Sequence, residues 1–243
     1  MSLSALFSSH CGAQYGSGAF MKTVPEAREL AAAMVAVGRL MGRRMVALLT
    51  DMSQPLGRAV GNALEVEETI AILRGQSSEP DLLEVTLALG REMLLMAGAA
   101  ADAEAADRLL RERLASGAAW AKFQEMVAAQ GGDLSRPLPR ARFQTPAAAA
   151  RGGYVQAIDS ERIGWAAIAL GAGRRVASDA VDHAVGFTGL AKVGDRVEPG
   201  HVLALVHHNS ERADAVVAET VACFTIGDAR PAPSAGMVLE RIE

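Results

Sequence analysis

Cysteine is almost missing from this chain of 243 residues, which carries only Cys11 and Cys223. Two thiols so far apart in sequence make neither a disulfide framework nor a metal knuckle, and reduced thiols fit a cytosolic protein. Excess positive charge is missing too: the formal net charge is −4 and the pI about 5.8. Without a basic face there is no electrostatic footprint for nucleic acid, and the pairs Arg43-Arg44 and Arg174-Arg175 read as solvated. No apolar run approaches the ~18 residues of a membrane span. The opening MSLSALFSSH lacks the basic n-region and longer apolar core of a signal peptide. Together these absences predict a cytoplasmic protein with neither a nucleic-acid nor a membrane partner. No H-E-x-x-H motif or paired carboxylate accompanies His183, His207 or His208, so all three are expected on surfaces or in loops.

Half of the residues are apolar, enough for one large or two small domains. The most informative stretch is Thr50 to Glu68, TDMSQPLGRAVGNALEVEE, which follows the apolar run Met45 to Leu49 and ends by opening a helix. A polar, glycine-rich loop outside the carboxyl end of a strand is where an α/β sheet keeps its chemistry. Asn62 with Glu65 three residues on predicts a capping box at the helix start. Thr23, Pro25 and Glu26 predict another, for a helix whose apolar positions Leu30, Met34, Val37 and Met41 share a face and which Gly42 ends. The order strand, helix, strand, helix from Ala19 to Leu73 is that of a parallel α/β sheet.

Helices are predicted over Pro80 to Met96, Asp102 to Leu114 and Ala118 to Ala128, with Trp120, Phe123 and Val127 on one buried face. From Gly131 to Ala150 the prolines deny helical continuity, which marks a linker. Beyond it a strand at Tyr154 to Ile158, a helix at Ser160 to Leu170 ended by Gly171, a hairpin-like Val193 to His207, a helix at Glu211 to Val221 and a closing strand at Met237 to Ile242 form an α+β domain. The predicted class is therefore α/β, a partial parallel sheet flanked by helices, followed by a C-terminal α+β domain. The divisions are 1–15, 16–130, the linker 131–150, and 151–243.

Two motifs carry alternatives. Gly16-Ser17-Gly18 before a helix is either a structural turn or a phosphate cradle, and a lone Gly-x-Gly is weak evidence for the second. The Gly-Asp-x-Val-x-x-Gly pattern from Gly194 to Gly200 is that of biotinyl and lipoyl carrier hairpins, but no lysine follows Lys192. A swinging-arm carrier is thereby excluded and the pattern is structural.

The run ALLTDMSQPLGRAVGNALEVEE, with GSGAFMK at Gly16 to Lys22 and GRRVASDAVDHAVGF at Gly173 to Phe187, resembles the thymidine and pyrimidine-nucleoside phosphorylases between Gly16 and His207. The resemblance implies reversible phosphorolysis of a pyrimidine nucleoside, with phosphate as co-substrate and no organic cofactor. It places Phe20 in the wall of the pyrimidine pocket. It aligns the backbone carbonyls of Leu56 and Ala59 and the carboxylate of Glu68 with the ligands of a structural cation. Asp179 and Asp182 lie in the shared stretch without a role. The family's Lys-His-Ser motif, its phosphate loop and its base-holding Arg, Ser and Lys have no counterpart here.

With the resemblance stopping at Gly16, Met1 to Tyr15 is expected to be unrelated sequence at a truncated, frameshifted or misassigned start. Four expectations follow: no catalytic residue retained, a chain inactive alone, a weak cation site with Glu68 acting as an exposed first-turn carboxylate, and loss of the family's homodimer interface. Self-association outside the family pattern is expected through the sheet near Ala19 and Met45 to Leu49. The alternatives are a non-catalytic nucleoside-binding or interaction module, and reassembly with a separate chain that supplies the other half.

Overall fold

The structure, a computed structural model, describes residues 8–232 and 236–243, with the side chains of residues 8–11 outside the description. The chain folds into two compact units, and they are not consecutive in sequence. The first comprises residues 1–52, 73–126 and 234–243; the second comprises residues 53–72 and 127–233.

The first unit is built on a three-stranded sheet. Strand β1 (Ser8–Tyr15) runs parallel to β2 (Arg44–Asp51), from Ser8 opposite Arg44 to Tyr15 opposite Asp51. Helix α1 (Val24–Leu40) makes the crossover. Its start is as predicted: Thr23 accepts from the Glu26 N–H, the Glu26 carboxylate accepts from the Thr23 N–H, and Pro25 sits in the first turn. The strand expected at Ala19 is instead a turn, and the first strand lies earlier, within the segment expected to be unrelated.

The face of α1 against the sheet also differs from expectation. Its buried residues are Ala27, Ala31, Val35 and Gly38, which pack with Ala13, Ala47 and Leu49. Leu30, Met34, Val37 and Met41 do share a face, but they are 42%, 36%, 55% and 67% exposed. Small residues let the helix lie close to the strands: a Cβ on Gly38 would stand 2.9 Å from Met45 Cβ. The larger side chains are left on the flank.

The third strand is β9 (Val238–Ile242), antiparallel to β2. The closing strand predicted for the C-terminal domain therefore belongs to the first unit. Helix α3 (Pro80–Met96) holds it there. The Glu84 carboxylate accepts from the Met237 and Val238 N–H groups, and Glu92, 4% exposed, accepts from Arg241 Nε at 2.9 Å. Glu92 Oε2 is buried without a partner, so Arg241 is its only compensation among the described residues. Helix α4 (Ala103–Ala115), capped by Asp102, packs on α3.

Helix α2 (Asn62–Leu73) precedes α3, and α5 (Ala118–Ala129) follows α4. No residue of α5 is fully buried, which corrects the buried face expected there. Trp120 instead stacks with Phe123 at 5.7 Å and receives the Arg74 guanidinium 4.3 Å from its ring centroid.

The second unit holds two three-stranded sheets. In one, β7 (Val202–His208) lies between β3 (Phe143–Ala148) and β5 (Gly186–Thr188). In the other, β4 (Gly153–Ile158) lies between β6 (Arg196–Val197) and β8 (Phe224–Gly227). The predicted hairpin over Val193 to His207 is thus not one, because β6 and β7 belong to different sheets. The linker expected up to Ala150 also ends earlier: β3 is a paired strand, and Ala147 and Ala149 are buried. Helix α6 (Ser160–Leu170) has Asp159 as N-cap and ends at Gly171, whose φ of 104° suits a residue without Cβ. Helix α7 (Asp214–Ala222) leads into Cys223, whose buried thiol donates to the Glu219 carbonyl and is pushed up to about 11 by burial. The core gathers Val155, Ile163, Phe187, Leu190, Leu203 and Val206.

Two outcomes follow. Arg241→Met leaves a buried carboxylate uncompensated and should lower stability by about 1–3 kcal/mol, whereas Glu92→Met in the same background should recover most of that loss; urea unfolding of the single and double variants reads both. Gly131 to Arg142 is mostly exposed and without regular structure, so limited trypsinolysis should cut first at Arg140 or Arg142. First cuts within α3 or α4 would contradict this architecture.

Candidate functional site

The parallel strands β1 and β2 both end at the Gly16 to Lys22 side of the first unit. There Gly16, at φ 120°, turns the chain. The Ala19 N–H donates to Gly16 O, the Gly18 N–H to Met52 O, and Lys22 Nζ to Ser17 O at 2.9 Å. Phe20 projects from this turn with 98% exposure, a large apolar ring held outside the carboxyl end of a parallel sheet, where ligands of such sheets bind. Tyr15 lies beside Asp51, and burial followed by that carboxylate raises its phenol above the ordinary value.

The N-terminus of α1 beside this turn is closed by its own capping box, with the Glu26 carboxylate seated on it. That arrangement favours the structural turn over the phosphate cradle, because the donors an anion would need already have a negatively charged partner.

The loop ahead of α2 is pinned along its length within the second unit. Gln54 Oε1 accepts from the Val193 N–H and Lys192 Nζ donates to Pro55 O. Arg58 Nη1 donates to Leu190 O, and the Leu190 N–H returns a bond to Arg58 O. Val60 and Phe187 exchange both backbone bonds at 2.9 and 2.7 Å. The two backbones approach so closely that a Cβ on Gly186 would stand 2.1 Å from Val60 O, and one on Gly61 2.5 Å from Val185 O. Only glycine fits either position.

The predicted capping box at Asn62 is displaced by this packing. The Asn62 side chain donates to Ala172 O, the Glu65 N–H donates to Gly61 O, and the Glu65 carboxylate accepts from the Gly61 N–H at 2.9 Å. The reciprocal cap is thus one residue earlier, with a glycine in place of the side-chain acceptor.

Leu56, Ala59 and Glu68 fall on this loop and helix. Leu56 is 37% exposed and Ala59 is buried. Glu68 is half-buried in the second turn of α2, and its Oε1 accepts from the Arg58 N–H at 2.8 Å. No group of three His, Cys, Asp or Glu side chains able to hold a metal occurs among the described residues. One carboxylate already engaged by the backbone, with two carbonyls, falls short of the six to eight oxygens of a divalent calcium cage. These three residues alone do not fit such an ion, and Glu68 acts here as a tether for the loop.

Asp179 and Asp182 have structural duties. Asp179 accepts from the Arg175 and Val176 N–H groups, and Asp182 from the Ala184 N–H and Asn209 Nδ2. Lys192 and Asp195 make the turn of the Gly194 to Gly200 pattern, with the Asp195 carboxylate accepting from the Lys192 N–H.

His207 and His208 were expected on surfaces or in loops; they end strand β7 instead and are 8% and 5% exposed. His208 Nδ1 donates to Ser210 O, which leaves Nε2 to accept from Thr145 Oγ1 at 2.8 Å. His207 Nε2 lies 2.7 Å from Thr188 Oγ1 and Nδ1 3.4 Å from Gln144 Nε2. The amide can only donate, so Nε2 carries the proton. His183 is exposed, as predicted. The sequence signal for the buried pair is the unbroken apolar run from Val202 to Val206 that leads into them.

Comparison with known proteins decides the family. Residues 154–227 match the family described as "Pyrimidine nucleoside phosphorylase C-terminal domain". Residues 5–120 match the one described as "Glycosyl transferase family, a/b domain". The chain belongs to the pyrimidine-nucleoside phosphorylase family. Among its relatives are the pyrimidine-nucleoside phosphorylases of Staphylococcus aureus strains USA300, NCTC 8325 / PS 47 and COL. Each is 45% identical over 218 residues, 88% of this chain and 50% of the relative. The chain thus spans about half the length of these relatives. The α/β match begins at residue 5, ahead of Gly16, so the segment expected to be unrelated falls largely inside the family's domain and supplies its strand β1. No helix among the described residues is long and apolar enough to cross a membrane.

Burial holds His207 below the ordinary histidine range, with Arg140 and His208 lowering it and Glu67 opposing. The unfolded chain therefore takes up a proton that the folded chain resists, and stability is lost as pH falls below about 6.5. The melting temperature should drop between pH 7.5 and 5, and His207→Gln should flatten that part of the profile. An unchanged slope in the variant would assign the loss to other groups.

Proposed function

We propose that this chain furnishes one half of a cytoplasmic pyrimidine-nucleoside phosphorylase, with Phe20 as a wall of the nucleoside pocket. The reaction is the reversible attack of phosphate on the anomeric carbon of a pyrimidine nucleoside, releasing the free base and a pentose 1-phosphate. The observation that carries this reading is the ring of Phe20, fully exposed at the carboxyl end of two parallel strands, inside the span matched to the family's α/β domain. Such a ring offers stacking area to a planar base.

Within these 243 residues no Lys-His-Ser run is present, and the α1 N-terminus is already occupied by Glu26. Nothing here holds the attacking phosphate or stabilises the departing base, and those two duties supply most of an enzyme's acceleration. The 243-residue polypeptide by itself is accordingly inactive. A cation at Leu56, Ala59 and Glu68 needs further oxygens from elsewhere.

The test uses two proteins. The 243-residue chain should release no thymine, and no uracil from uridine, above background in the presence of phosphate. A chimera should phosphorolyse thymidine or uridine when this chain replaces the matching half of the S. aureus relative. In that chimera Phe20→Ala should lower kcat/KM about tenfold, a loss near 1.4 kcal/mol of transition-state stabilisation. A folded but inactive chimera, or one indifferent to Phe20→Ala, overturns the proposal. Nucleoside binding by the isolated chain, with an inactive chimera, is the result that favours a non-catalytic binding module.

A further inference from the structure

Within the first unit, the turn after α2 faces the connection between α4 and α5 across a cavity of about 530 Å³. Arg74 and Gln76 line it from the turn, Leu73 and Leu114 supply apolar wall, and Trp120 lines it from α5. The Arg74 guanidinium stands 4.3 Å from the centre of the Trp120 ring, attracted by its π face. Among the described residues it makes no hydrogen bond or ion pair, so its fork of N–H donors is held in place with no acceptor. The Gln76 amide, two residues on and exposed, is likewise unengaged. No acidic side chain is among the described residues that line the cavity. The last carbonyls of α4 do not compete for the donors, because Glu112 O accepts from the Ser116 N–H and Leu114 O from the Gly117 N–H.

We propose that this cavity binds a small phosphate monoester of a flat aromatic ring, the size of a mononucleotide. The charge selects an oxyanion: a guanidinium offers two parallel N–H donors to it, and the Gln76 amide adds another. A phosphate, with three terminal oxygens, can meet the fork and the amide together, whereas a carboxylate has only two. The walls select a flat ring, since indole and guanidinium surfaces both stack on aromatic bases. Leu73 and Leu114 shield the ring's edge from water. Size requires both parts, because about 530 Å³ lies within the roughly 300–1,000 Å³ of small-molecule sites and exceeds what a bare phosphate ion fills. The site shares no residue with the Phe20 turn or the loop that Glu68 tethers.

Trp120 itself reports occupancy. The chain's other tryptophan, Trp165, is 61% exposed on α6, so Trp165→Phe leaves Trp120 as the sole indole emitter. In that background adenosine 5′-monophosphate should change the emission saturably, with half-saturation on the order of 0.1 mM. Adenosine and inorganic phosphate should each bind about tenfold more weakly or worse, since each meets only part of the site. Arg74→Lys keeps the charge and loses the fork, and should weaken adenosine 5′-monophosphate about tenfold by calorimetry. Gln76→Glu sets a like charge beside the phosphate and should weaken it similarly. Both positions are exposed, so the circular dichroism spectrum and melting temperature of each variant should match the parent. Four results overturn the proposal: no saturable change up to about 5 mM, equal affinity for inorganic phosphate, which would mean a nonspecific anion contact only, equal affinity for adenosine, or binding indifferent to Arg74→Lys and Gln76→Glu.

Discussion

The close passage of Val60-Gly61 against Val185-Gly186-Phe187 is the constraint on which the second unit's loop depends. Two backbone bonds between Val60 and Phe187 fix the distance, and the two glycines make that distance attainable. Once that contact is set, the remaining bonds of Gln54, Pro55 and Arg58 to the chain between Leu190 and Val193 follow as a short ladder. Glu68 closes the loop from below by accepting from the Arg58 N–H. A polar loop of this length is ordinarily mobile; here nearly every turn of it has a named partner.

In the first unit the governing choice is side-chain size. The alanines and Gly38 of α1 bring the helix axis close to the strands and exclude the larger residues from the interface. The consequence is a helix whose apolar surface exceeds what its own sheet covers. The same unit ends its sheet with β9, where a buried glutamate and its arginine set the position of the last strand.

Local signals were legible where a residue's duty is discharged by near neighbours. Thr23 with Glu26, Asp102 and Gly171 all cap the helices that their spacing announces. The resemblance in GSGAFMK and the long loop likewise read through to the family. What sequence spacing cannot convey is which side of a periodic helix another element covers, and Leu30, Met34, Val37 and Met41 show it. Asn62 has the composition of a cap, yet Ala172, distant in sequence, claims its side chain. Strand β1 was missed because Ser8 to Tyr15 offers little apolar alternation; parallel pairing to the apolar β2 compensates. The buried histidines were missed because hydroxyls of Thr145 and Thr188, on other strands, satisfy them.

The placement of β9 bears on how the chain comes off the ribosome. Residues 127–233, which complete the second unit, emerge before Val238–Ile242, which completes the first. The second unit thus has all its strands available while β2 still lacks a neighbour on one side. Domains usually fold in the order of synthesis; in this chain the β9 side of β2 stays open until residues 127–233 of the other unit have emerged.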